Sequence, residues 1–424
     1  MPGPDDRYYP ENTFNAARTE AQVDRDRVIY CPHFARLAEV TQVRSFDGEF
    51  LVHNRLTHSL KVGQLACRIA QAINKKHCKN GEAPLVNPDV AEAAGLAHDL
   101  GHPPFGHIAE SELDKIVEAD GGYEGNAQSF RIVSVLATSD AASEDGSACS
   151  GMNFTRATLN ALLKYPWRYG GNPKKMDKWG AYETEKDIFT WARDGKENNT
   201  RTAEAEIMDW ADDITYAIHD MIDFYCAGLI PLHLLVDNAS LLGKKEWADF
   251  FDHACARNSR VFNHGDVSET ALQEVLSPSS INGPYNGSPK ECQDLWFYSS
   301  ILISKYVAAF DLVAQQPSGE RRAVISEPAL LQTEILKELT WHYVIKRSDL
   351  ATSQHGQRKM IRKLFGVYRD AINNKAWEYF PVGFATLIRE GDSGTPAARW
   401  AADYIAGLTE RQVTHLYRKV AAHF

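Results

Sequence analysis

Several features are scarce or missing in this chain of 424 residues. It has no Cys-x-x-Cys pair, and its 7 cysteines (Cys31, Cys67, Cys78, Cys149, Cys226, Cys255 and Cys292) are odd in number and widely spaced. This pattern favours free thiols in a reducing compartment over a disulfide framework or a zinc ribbon. Positive charge is in short supply, with 46 Lys and Arg against 56 Asp and Glu for a net charge of -10. That balance argues against a general nucleic-acid coat or a membrane-surface protein, although local basic patches stay allowed. Long apolar runs are absent. The longest, Leu229 to Val236, is broken by Pro231 and His233 and falls far short of the ~20 residues that span a bilayer. The start, MPGPDDRYYPENTF, carries no basic stretch followed by an apolar one, so no secretory signal is read and cytoplasmic residence is expected. Period-2 alternation is rare, and solenoid repeats, heptads and low-complexity tracts are not found.

What is present is an ordinary globular composition, 44% hydrophobic and 24% charged, able to bury a sizeable core. The length permits two or three domains or one large core with insertions. Apolar residues recur three and four apart, as in Val62, Leu65, Ala66, Ile69 and Ile73, and again in Ile361, Leu364, Phe365, Tyr368 and Ile372. This periodicity predicts a mainly α protein. Further helices are expected at 88–99, 108–118, 126–137, 155–164, 203–227, 295–313, 328–346 and 397–422, with loops at 138–151, 277–289 and 315–320.

The histidines are unevenly placed: six of the 15 fall between His53 and His107. GLAHDLGHPPFGH holds His98, Asp99, His102 and His107 at the end of an alanine-rich helix stopped by Gly101, Pro103 and Pro104. Adjacent helical residues point about 100° apart, which suits two ligands meeting one ion at a helix end. Taken alone, His98-Asp99 fits a helix cap equally well, and His53 or His77 fits a surface or core position better than a ligand role. His58 stands near the start of the next amphipathic stretch upstream, with Arg55 one turn before it on the same face. Downstream, EAEIMDWADDITYAIHDMIDFY repeats Asp212, Tyr216 and Asp220 every four residues, placing them on one helical face. Two imidazoles and two carboxylates make a mixed nitrogen and oxygen site suited to Mn, Fe, Mg, Zn or Ni rather than to a thiolate-seeking metal.

At these residues the sequence resembles the HD-domain superfamily of metal-dependent phosphohydrolases, and within it the deoxynucleoside-triphosphate triphosphohydrolases of the dGTPase type. The segments carrying the resemblance are DRDRVIYCPHFARLAEVTQV, NRLTHSLKVGQLA, LAHDLGHPPFGHIAE, YEGNAQSFRIV, KYPW, MDWADDITYAIHD and DYIAGLTE, spread over nearly the whole chain. The resemblance implies one large α-helical unit over 1–424, with an HD metal-binding core at about 50–230. A C-terminal helical region at about 290–424 is expected to supply substrate or interface contacts, with few short strands.

It implies hydrolysis of a dNTP, with dGTP among the substrates, to deoxynucleoside and inorganic triphosphate. A divalent ion, Mn2+ or Mg2+ first and Fe, Ni, Zn or Co next, is expected on His58, His98, Asp99 and Asp212. His107 and Glu110 match a catalytic histidine and its acidic partner, and His102 a further active-site histidine. Gln42, Tyr216 and Asp220 match deoxyribose contacts; Arg55, Asn153 and Lys178 match triphosphate contacts, and Arg399 is a further phosphate candidate. Gly125 stands where many relatives carry His, a departure that moves acid chemistry onto His107.

This assignment is chemically coherent. The ribose 5′-oxygen leaves poorly unless protonated, a task suited to histidine with a carboxylate one turn away to orient it. Exclusion of a 2′-hydroxyl by a sugar-packing Tyr216, with Gln42 and Asp220 on the 3′-hydroxyl, accounts for deoxyribose choice. The segment 357–375, with Arg358, Lys359, Arg362, Lys363, Arg369 and Lys375 against Asp370, reads either as a solvated helical face or as a stripe for phosphate or single-stranded nucleic acid. A homo-oligomer such as a hexamer, and activation by single-stranded DNA or a nucleotide, are expected partners by resemblance; a membrane is not. Two other readings stay open: an HD phosphohydrolase acting on another nucleotide, and a catalytically silent nucleotide-sensing or single-strand-binding protein.

Overall fold

Asn54 begins the helix that organises the molecule. Its side chain accepts a hydrogen bond from Thr57 N at 2.9 Å, satisfying a donor that the first turn leaves open, and the helix Arg55–His77 follows. Asn87 does the same for Pro88–Ala97, where Pro88 at the first position needs no N–H partner. Thr202 caps Ala203–Thr215 through Ala205 N at 3.1 Å. The computed structural model describes residues 3–11, 17–42, 54–79, 81–138, 150–194, 199–258, 262, 265–314, 321–345, 349–391 and 394–421.

The mainly α reading holds. Among the described residues the named strands are Phe310–Ala314 and Arg321–Ile325, paired antiparallel with Phe310 opposite Ile325. Three helices run on into wider π turns, at Ile132–Leu136, Tyr216–Asp220 and Trp341–Ile345. Two expected helices are corrected. The one placed at 295–313 spans Pro289–Ala308 and gives way to the first strand. The one placed at 397–422 is two helices, Ala397–Ala406 and Glu410–Ala421, parted at Gly407. Helices Glu20–Tyr30, Leu241–Arg257 and Val382–Glu390 were not expected. The expected loop at 315–320, and most of that at 138–151, lie outside the described residues.

The helices Arg55–His77 and Pro88–Ala97 meet at two glycines. A Cβ built on Gly95 would lie 2.8 Å from Gly63 Cα, and one on Gly63 would lie 2.7 Å from Leu96 Cγ. No side chain fits there, so the backbones approach closely and hold the ends of both helices in register. Apolar burial then sorts into two main clusters. Val62, Ile69, Ile207, Ile214 and Ile218 pack with Leu302, Leu336 and Leu339. Leu96, Leu100, Ala109 and Leu113 pack with Leu364, Phe365, Trp400 and Ile405. His58 and Asp212 come from helices of the first cluster, whereas His98, Asp99, His107 and Glu110 come from segments of the second. The polar site therefore lies along the seam between two cores.

Candidate active site

His98 ends the Pro88–Ala97 helix, and its Nδ1 donates to Gly95 O at 2.7 Å. That bond selects the tautomer whose Nε2 is left to accept. The buried Nε2 has no hydrogen-bond partner; its neighbours are Asp99 Oδ1 at 3.4 Å and Asp212 Oδ1 at 3.6 Å. His58 Nε2 reaches the same Asp212 oxygen at 3.0 Å, and the His58 and His98 rings are 5.5 Å apart. One ligand atom each from His58, His98 and Asp99 thus lies within 4.8 Å of the others, and Asp212 Oδ1 approaches both imidazoles from the cavity side. An orphaned, correctly tautomeric nitrogen aimed at carboxylate oxygens is what a divalent ion with mixed nitrogen and oxygen preference requires, so these residues fit such an ion. Burial alone lowers the His98 pKa, yet Asp99 and Asp212 raise it to about 9; protons and an ion compete for that nitrogen. Against the cost of burial, Arg55, His102 and His98 hold the Asp99 carboxyl well below the usual range.

The second feature is a pair at the mouth. Phe105 and Gly106 adopt φ of 68° and 56°, turning the chain sharply into the helix His107–Ile116. His107 Nδ1 lies 2.6 Å from Glu110 Oε2, with the imidazole 75% exposed and the carboxylate nearly covered. Gly125 N donates to the other Glu110 oxygen at 3.1 Å. Burial opposes ionisation of Glu110, but hydrogen bonding to His107, with His102 and Lys178 nearby, holds its carboxyl below the usual range. The anion orients the ring from behind and leaves Nε2 facing open space, an arrangement able to move a proton. His102 Nδ1 lies 2.9 Å from Asp99 Oδ1, with its ring 5.7 Å from that of His107. A Cβ on Gly125 would lie 3.3 Å from the His102 ring, so this glycine lets that ring pack close to its backbone.

Both features open into a cavity of about 610 Å³ lined by Gln42, Arg55, His98, Asp99, His102, His107, Glu110, Lys164, Lys178, Asp212 and Tyr216. Arg55 is held there by donation from Nη1 to Asp99 Oδ2 at 2.7 Å, and Lys178 by Glu124 at 3.1 Å. Gln42 Oε1 is buried without a hydrogen-bond partner.

Residues 55–217 match the family model for the HD domain, and residues 323–419 match that for the phosphohydrolase-associated domain. The deoxyguanosinetriphosphate triphosphohydrolase-like protein of Streptomyces coelicolor is 32% identical over 98% of this chain and 96% of its own length. The proteins of that name from Corynebacterium glutamicum and Shewanella baltica are 30% and 26% identical, over 94% and 96% of this chain and 90% and 93% of theirs. The chain belongs to the HD-domain, dGTP triphosphohydrolase-like family. It is a phosphohydrolase by family, and no helix among its described residues is long and apolar enough to cross a membrane.

Three expected substrate contacts stand off the cavity wall. Asn153 is buried with φ of 47°. Its side chain accepts from Tyr9 N at 3.1 Å and donates to Tyr9 O and Glu11 Oε2 at 2.8 Å, fastening the N-terminal segment instead of meeting the cavity. Arg399 is buried over the Tyr182 ring and donates to Asp120 O at 3.1 Å and Gly122 O at 2.6 Å. Both are corrections: short polar and cationic motif residues went to backbone carbonyls that would otherwise be buried unpaired. Asp220 is buried and outside the lining, though near enough to Tyr216 that, after burial, it helps to raise that phenol's pKa. Burial, with Asp223 beside it, pushes the Asp220 carboxyl well above the usual range.

Sequence reasoning missed Lys164 and Glu410. Lys164 Nζ contacts Asp209 Oδ1 at 2.7 Å and Asp212 Oδ2 at 3.1 Å, braced between the ligand helix and the cavity. Glu410 accepts from Thr41 N and Oγ1, each at 2.9 Å, and from Phe105 N at 3.2 Å, tying the C-terminal helix to the cavity rim. KYPW and DYIAGLTE contain these residues, but a cation or anion in a motif carries no sign of which distant partner it meets. On the long helix Asp349–Asn373, Ser353, Gln354 and Gln357 face the cavity. Its Arg358, Lys359, Arg362 and Lys363, with His355 and Tyr417, line a separate groove of about 640 Å³, where Arg362 pairs with Glu112.

Proposed function

We propose that this phosphohydrolase cleaves deoxynucleoside triphosphates, dGTP among them, to deoxynucleoside and inorganic triphosphate. The observation that carries the reading is the opening of His98, Asp99 and Asp212, with His58 behind them on Asp212, and of the exposed His107–Glu110 pair into one cavity. The names of the relatives, and the match to the HD domain, support the substrate class. Held by His58, His98, Asp99 and Asp212, a divalent ion such as Mn2+ or Mg2+, or Fe, Ni, Zn or Co, supplies Lewis acidity at a phosphoryl oxygen and eases deprotonation of water. Water attacks the α-phosphorus, and His107 Nε2 protonates the departing 5′-oxygen while Glu110 keeps the ring oriented. Arg55 and Lys178 offset the triphosphate charge in a protein of net charge -10. Gln42 and Tyr216 contact the sugar, with Tyr216 closing the space a 2′-hydroxyl needs.

The test is direct. Purified protein given each dNTP with Mn2+ or Mg2+ should release tripolyphosphate and nucleoside. Release of monophosphate or pyrophosphate overturns the reading, as does binding without turnover across metals and added nucleotides. The groove of His355, Arg358, Lys359 and Lys363 supports a phosphate-bearing effector, either nucleotide or single-stranded DNA. Exposed Trp296 and Phe297 on the Pro289–Ala308 helix support a homo-oligomer, a hexamer by resemblance. Rates with and without oligonucleotide, and mass by light scattering, decide these two points.

A further inference from the structure

Apart from the groups at the cavity, a further set of metal-ligand side chains converges between the helix Leu241–Arg257 and the Trp341–Ile345 turn. Asp249 and His253 stand one turn apart on the helix Leu241–Arg257 and share a face. His342 comes from the π turn Trp341–Ile345. Asp249 Oδ2 lies 3.4 Å from His342 Nε2, and the two imidazole rings are 4.7 Å apart; His253 Nδ1, 3.7 Å from Asp249 Oδ1, donates to Asp249 O at 2.9 Å, a bond that an ion at that nitrogen would displace. One ligand atom from each residue lies within 4.8 Å of the others. None of the three belongs to the cavity set.

We propose that Asp249, His253 and His342 bind a second divalent transition-metal ion of borderline character, such as Zn2+ or Co2+. Two imidazoles and one carboxylate form the three-ligand set that such ions take with further positions left to water. The burial pattern suits it: the His342 side chain is 9% exposed and anchors the site, while those of Asp249 and His253, at 57% and 42%, give an ion a path in. The His342 ring is oriented by edge contacts with Phe250 and Tyr343, at 5.9 Å and 4.5 Å between centroids, and Tyr343 is anchored by its hydroxyl on Glu246 at 2.8 Å. Bound there, the ion joins the Leu241–Arg257 helix to the turn Trp341–Ile345. Ile345 of that turn lines the active-site cavity, so occupancy steadies one wall of the cavity without contributing a group to the chemistry.

Co2+ binding to the full chain tests this, read as bound ions per chain by equilibrium dialysis and as visible d–d absorption. Wild type should bind two ions. The pair of changes Asp99→Asn and Asp212→Asn should leave one, and His253→Gln in the wild-type background should also leave one. The remaining affinity at the second site should fall at least tenfold in Asp249→Asn. His253 is at the surface, so its replacement spares the fold, and circular dichroism checks this. A cobalt count unchanged by both His253→Gln and Asp249→Asn overturns the proposal, as does a folded Asp99→Asn, Asp212→Asn protein that binds none.

Discussion

His98 and His107 belong to the same short motif, yet they occupy opposite environments. His98 is buried, its Nδ1 spent on Gly95 O and its Nε2 aimed at carboxylates. His107 is three-quarters exposed, anchored at one nitrogen by Glu110 and open at the other. Burial with a fixed tautomer suits a group that must hold an ion still. Exposure with an anionic anchor suits one that must exchange a proton with substrate and solvent. One turn, bent by the positive φ of Phe105 and Gly106, separates the buried imidazole from the exposed one.

The sharpest way to break this contrast is at the buried end. Asp212→Asn, or chelation of the wild-type ion, should reduce tripolyphosphate release to background; retained turnover with no bound metal would sink the division of roles. Next in size, His107→Ala should keep the same metal content by elemental analysis while losing about 10²- to 10⁴-fold in kcat, the usual scale for a positioned acid. Loss of metal along with activity would mean that the two histidines are not separate in function. Glu110→Gln should cost less, about 10- to 100-fold, because it removes an orienting partner and not the proton donor. Its pH–rate profile should shift on the limb that reports the acid, a change that a purely structural role would not produce. Smallest in effect on catalysis, Asn153→Ala should leave kcat and KM as they are and lower stability by about 1–3 kcal/mol, since it strands polar groups of the N-terminal segment. A raised KM with unchanged melting temperature would return Asn153 to the substrate site.

Helical periodicity was legible because burial imposes it locally: Val62 to Ile73 and Ile361 to Ile372 are buried as their spacing predicts. The helix-to-strand change after Ala308 was not, since a short apolar segment such as Phe310–Ala314 fits either state until Arg321–Ile325 pairs with it. The same limit applies to the polar residues. His58, His98, Asp99 and Asp212 stand out by type and order and do come together, whereas Asn153 and Arg399 carry no mark of the backbone groups they satisfy, nor Lys164 and Glu410 of the carboxylates and amides they meet.

Sequence alone determined the class of fold and marked the candidate ligand side chains, because side-chain chemistry and local period are properties of neighbouring residues. Only the tertiary structure decided which polar groups share the seam between the two cores and which are consumed in holding the chain together. That choice depends on close approaches such as Gly63 to Gly95 and on distant elements competing for each buried donor and acceptor.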